Sequence, residues 1–182
     1  MKMKIVILIA FVSLCGVLLA EDDKKDEKKV WFGPKYGLDV VSSTADMESL
    51  TDQLKTNYQV GFFMQLGKKI YFQPEIYYSS YTTNPITNTK INYLKAPMML
   101  GLKVIDLGLI SLHLNGGPSY LKQLDSTNKG VINWEVGAGV NLLGFITTDL
   151  RYTIQKGSTT GMQIEQLISN GGMLNLTVGL RL

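Results

Sequence analysis

His113 is the only histidine and Cys15 the only cysteine in this 182-residue chain, and those two counts exclude several chemistries. A two-histidine metal site cannot form within one chain. A thiol nucleophile or cysteine metal cluster would have to use Cys15, which lies in an apolar leader. Nucleophilic hydrolysis stays open, with His113 as base, Ser111 or Ser119 as nucleophile and Asp149 or Glu135 as orienting acid. Serine and acid are common on the polar face of a strand, however, so His113 reads as a satisfied interior histidine. The glycines form no phosphate cradle, because no helix follows them, and they read as relief of crowding. The sequence therefore assigns no catalytic, cofactor or metal residue.

A second constellation is richer. Lys35, Lys95, Lys103, Arg151 and Arg181 stand with Asp39, Glu75, Glu135 and Asp149 at polar positions of alternating segments. Side chains of both signs on one face must pair if that face is enclosed, since an unpaired buried charge is costly. The reading is an internal charge network that plugs a narrow lumen.

The segments that position these residues are strands. From Trp31 onward the pattern has period two, which sends alternate residues to opposite faces. Eight strands are expected, at 31–41, 57–66, 70–81, 90–104, 109–122, 131–142, 145–155 and 172–182. The stretches between them run long, short, long, short, long, short, long, with the short ones at 67–69, near Asp106 and at 143–144. Two long stretches, 46–54 and 162–168, have room for a helical turn or for an extension of a strand. Pro74 and Pro97 each remove a strand donor, so both are expected at bulges or near a membrane interface.

The order of connections matches an up-and-down barrel crossing an outer membrane, with short turns and both termini on the periplasmic side. A soluble sandwich or lipocalin-like barrel alternates in the same way, but three features favour lipid. Only 22 of the 153 residues from 30 to 182 are charged, whereas soluble surfaces usually carry charge at about 25–35% of positions. The polar face carries both signs. Segment lengths suit the roughly 9 to 11 residues of a tilted membrane strand, with Tyr36, Tyr58, Tyr78, Trp134 and Tyr152 on the apolar face as an aromatic girdle.

Residues 1–20 place Lys2 and Lys4 before an apolar run from Ile5 to Ala20, the pattern of a cleaved secretory signal. Residues 21–30 form a charged spacer with almost nothing to bury. Removing the signal leaves sixteen basic and fifteen acidic residues, a balance that offers nucleic acid no basic surface.

Several strings together resemble the outer-membrane β-barrel domain family of PorT-like and small porin-like proteins. They are Gln73-Pro74-Glu75-Ile76-Tyr77-Tyr78-Ser79, Tyr93-Leu94-Lys95-Ala96-Pro97-Met98-Met99-Leu100, Gly117-Pro118-Ser119-Tyr120, Asp149-Leu150-Arg151-Tyr152 and Val178-Gly179-Leu180-Arg181-Leu182. The resemblance implies an outer-membrane location and an all-β, eight-stranded antiparallel barrel, with no catalytic motif to carry over. Lys95, where an acid is common in the family, and Leu182, where a terminal aromatic is usual, depart from its pattern. The expected function is a non-enzymatic barrel with a filled lumen and no cofactor. It would be embedded in outer-membrane lipid and meet a protein partner through its external loops or rim. A narrow solute channel and a soluble secreted barrel holding an apolar ligand are the alternatives.

Overall fold

The computed structural model describes residues 30–41, 57–84, 89–124, 130–154 and 173–182. The expected signal at 1–20, the spacer at 21–29 and the two candidate helical turns lie outside the described residues. Val30, assigned to the spacer from sequence, instead opens the first strand opposite Leu66.

Eight strands follow in chain order: β1 (Val30–Val41), β2 (Tyr58–Leu66), β3 (Ile70–Asn84), β4 (Thr89–Asp106), β5 (Ile110–Gln123), β6 (Val131–Leu142), β7 (Ile146–Ile154) and β8 (Met173–Leu180). Each pairs antiparallel with its sequence neighbour, and β8 returns to β1, so the sheet is closed. Closure has a physical cause: in hydrocarbon every strand N–H and C=O needs a partner, and only a sheet without edges supplies them all.

The register fixes the size of the barrel. Stepping across paired residues from Val40 through Leu174, Tyr152, Val136, Gly116, Leu100, Phe72 and Leu66 ends at Val30, ten residues lower on the same strand. Eight strands with that stagger tilt by about 40° and enclose a cylinder of about 8 Å radius, given the usual strand spacing and rise. Such a bore has room for side chains and little else.

The polarity is inside out. Odd-numbered residues face the lumen in all eight strands, β4 leaving the pattern only after Lys103, and the even-numbered ones face outward. Among the described residues, twenty-four polar or charged side chains are buried against eleven apolar ones. The large apolar side chains, from Phe62 and Ile76 to Leu150, Leu176 and Val178, are exposed on the outer wall. A soluble barrel would show the reverse, so the apolar face meets lipid. Tyr36, Tyr78, Trp134 and Tyr152 stand on this outer wall.

The short connections are tight turns gathered at one end. Gly67, Gly108 and Gly144 adopt φ of 107°, 79° and 77° there, and Leu143 takes 53°, a region that non-glycine residues seldom enter. Of the two places expected for Pro74 and Pro97, a bulge or a membrane interface, the register excludes the first. The register is unshifted at Pro74, opposite Met98, and at Pro97, opposite Ser119, so neither marks a bulge. Each proline removes a single donor, which needs no inserted residue. The shifts fall instead between Thr82 and Asn84 and between Lys103 and Ile105. Pro34 and Pro118, opposite Phe62 and Trp134, are strand residues as well.

Leu176, between Leu38 and Leu150 on the outer wall, tests the orientation. Leu176→Arg should destabilise the barrel by about 2–4 kcal/mol in lipid vesicles, read from urea unfolding, whereas Leu176→Phe should be nearly neutral. Equal tolerance of the two would place this face in water.

Candidate functional site

Among the described residues, polar and charged side chains concentrate in the lumen. Its centre is built from odd strands: Lys35 on β1, Glu75 on β3, His113 and Asn115 on β5, Asp149 and Arg151 on β7. Asp149 and Arg151 share a face because they are two residues apart on a strand. Lys35 and Asp149 are 114 residues apart in sequence, and only the closed sheet brings them together.

Glu75 is saturated. Its Oε1 accepts from Lys35 Nζ at 2.8 Å, Gln73 Nε2 at 2.5 Å and Arg151 at 2.9 Å, while Oε2 accepts from Arg151 at 2.6 Å and the Tyr77 hydroxyl at 2.8 Å. Asp149 is nearly as full. Its Oδ2 meets Lys35 Nζ at 2.5 Å and Arg151 at 3.3 Å, and its Oδ1 accepts from Asn115 at 2.7 Å and meets His113 Nε2 at 2.8 Å. Two cations and two carboxylates thus balance, with neutral donors filling the remaining lone pairs. That is the condition under which a buried charge cluster is tolerated. The Lys35 ammonium also lies 4.9 Å from the centre of the Phe63 ring.

Both nitrogens of His113 have neighbours. With Nε2 on Asp149, the donating nitrogen is Nε2–H, and Nδ1 then faces the Asn141 amide at 3.4 Å. Ser111 bonds to Asn141 at 3.0 Å, and the Tyr71 ring stands edge-on to the imidazole. The sequence grouped His113 with Ser111 and Asp149. The fold makes the pairing with Asp149 and directs the Ser111 hydroxyl to Asn141.

A second tier lies toward the loop end. Lys95 Nζ approaches Glu135 Oε1 at 2.9 Å. Asp39 accepts from the Tyr81 hydroxyl at 2.5 Å and from the Asn175 amide. Lys103 and Arg181 belong to neither tier. Beside the β4 bulge Lys103, still on the lumen-facing row opposite His113, pairs with Asp106 at 2.8 Å at the short-turn mouth, apart from the central cluster. Arg181 sits at the short-turn mouth with its guanidinium 4.5 Å from the Trp31 ring.

Two features went unread in the sequence. Tyr81, Ile91, Tyr93, Leu121, Val131 and Met173 form an apolar layer inside the barrel at its loop end. Their odd positions on polar-facing rows were the available signal. The second feature is that long central side chains lie across glycines of the neighbouring strand. Lys35 crosses Gly179, Tyr77 crosses Gly61, Tyr71 crosses Gly101 and Arg151 crosses Gly137, where a Cβ would overlap the crossing side chain. The glycines make room for the network. Among the described residues, no three potential ligands are grouped to hold a metal ion.

Arg151 touches both carboxylates, so its removal leaves two buried negative charges underpaired. Arg151→Met should cost about 3–5 kcal/mol in unfolding free energy, and the double replacement Arg151→Met, Glu75→Gln, which leaves Lys35 paired with Asp149, should recover much of it. A single-variant cost below about 1 kcal/mol, typical of exposed pairs, would mean that the network is wet and energetically idle.

No protein-family model matches the chain, and no curated protein matches it. Solved structures do. Neisserial surface protein A is 13% identical with a TM-score of 0.55, the match covering 84% of this chain and 94% of that one. The N-terminal β-barrel domain of Pseudomonas aeruginosa OprF is 10% identical with a TM-score of 0.50, covering 86% of this chain and all of that one. A designed transmembrane β-barrel is 10% identical with a TM-score of 0.46, covering 87% and 100%. At such identities the likeness concerns the fold, and with the inverted polarity it makes this chain an eight-stranded antiparallel transmembrane β-barrel.

Proposed function

We propose that this chain is a non-enzymatic outer-membrane protein, closed to solutes, whose role is structural or is exercised on a partner through the loops and rim at its long-connection end. The observation that carries this reading is the depth of the obstruction. A saturated charge cluster of Lys35, Glu75, Asp149 and Arg151 fills the centre of a narrow bore, and the apolar layer from Ile91 to Met173 fills the loop end. Ions do not cross an apolar constriction readily, because it excludes water. The central charges are held by one another and leave no open polar wall. A catalytic role for His113 would need a serine within reach of its free nitrogen, whereas its two nitrogens face Asp149 and Asn141.

The PorT-like resemblance of the sequence supports an outer-membrane address, as does the arrangement of short turns at one end and longer connections at the other. The short-turn end would then be periplasmic.

Two measurements test the proposal. In fractionated cells the chain should be recovered with the outer membrane and should run as a heat-modifiable band; recovery in the soluble periplasm would overturn it. In planar bilayers the purified protein should give no unitary conductance steps, and reproducible steps would favour the narrow-channel alternative. A hydrolytic activity lost in His113→Ala would establish the enzymatic one.

A further inference from the structure

We propose that the short-turn mouth of the barrel is a binding site for a phosphate group. Independently of the function proposed above, the lumen opens there into a cavity of about 270 Å³ whose lining includes Trp31, Lys68, Lys103, Asp106, Ser111 and Arg181. Even with Lys68 left aside, Lys103 and Arg181 line it against the single carboxylate of Asp106, so its lining carries net positive charge, unlike the balanced cluster deeper in the bore. At about 30 Å³ per water in the liquid, it holds a phosphate together with a small attached group.

Arg181 is the anchor. The residue is 7% exposed, its guanidinium lies over the Trp31 ring at 4.5 Å, and its Nε has no hydrogen-bond partner. A guanidinium packed against an aromatic ring keeps its N–H donors, whose fork can take two oxygens of one anion. A buried donor without a partner costs free energy, and an anion in the cavity removes that cost. Ser111 accepts from Asn141 at 3.0 Å, so its hydroxyl proton remains available to a further acceptor. Lys103 is held at 2.8 Å by Asp106, whose other oxygen accepts from the Gly108 amide at 3.1 Å. Asp106 is therefore the internal competitor for the incoming anion.

The phosphate group could arrive as a free anion or as the headgroup of a lipid in the leaflet bordering this mouth, and the experiment separates the two. Trp31 and Trp134 are the only tryptophans, so in a Trp134→Phe background the emission of Trp31 reports on the site. Inorganic phosphate titrated into the full chain in a non-ionic detergent should give a saturable change, absent with chloride at matched ionic strength. Arg181→Gln should weaken it by about tenfold or more, the loss of a charge-assisted hydrogen bond. Asp106→Asn, which frees Lys103, should tighten it several-fold, and this variant keeps the test valid if Arg181→Gln fails to give a heat-modifiable band. A change produced only in nanodiscs containing phosphatidylglycerol, and not by inorganic phosphate, assigns the site to a lipid headgroup. Responses to phosphate and phosphatidylglycerol no larger than to chloride and a phosphate-free galactolipid, or an affinity unmoved by Asp106→Asn, overturn the proposal.

Discussion

The constraint on which the rest of this structure depends is closure. In a hydrocarbon layer the backbone has no water to fall back on, so the last strand must pair with the first. With eight strands and a stagger of ten residues, closure sets a bore of about 8 Å radius, and that number governs everything inside it. Each inward side chain must fit beside its neighbours, each inward charge must find its opposite, and wherever a long side chain crosses the next strand that strand must carry almost nothing. Lys35 over Gly179 and Arg151 over Gly137 are the same solution applied twice.

The charge cluster also explains why one register prevails. A slip of one residue in any strand would send its lumen charges into lipid and its leucines into the lumen. A slip of two would keep the faces but move Lys35 away from Glu75 and Asp149. Since those contacts join β1, β3 and β7, the cluster checks the alignment of the whole circle rather than of one hairpin. Its worth lies less in net stability, because two desolvated ion pairs roughly offset their own burial, than in the penalty for breaking it.

Along the axis the lumen changes character in steps. The loop end is apolar, the centre is charged and balanced, and the short-turn mouth is basic and open. The bulge after Lys103 marks the last of these transitions, where that lysine pairs with Asp106 at the mouth of the bore. A barrel of uniform polarity would need no such gradient. Here, among the described residues, one end carries an apolar cluster and the other a cavity lined by cations.

The sequence by itself determined whatever depends on parity. Period-two alternation placed eight strands, fixed which face of each is polar, and predicted that Lys35, Glu75, Asp149 and Arg151 would share an interior; the β6 bounds match residue for residue. It also left lipid as the better reading of the apolar face, through sparse charge of both signs. Tertiary structure alone decided who meets whom. The pairing of Lys35 with an aspartate 114 residues away, the partnership of Lys95 with Glu135 and the apolar layer at the loop end all depend on stagger and closure. Parity is a property of each strand alone, readable from neighbouring residues. Register around a closed sheet is a property of all eight together, and no local pattern encodes it.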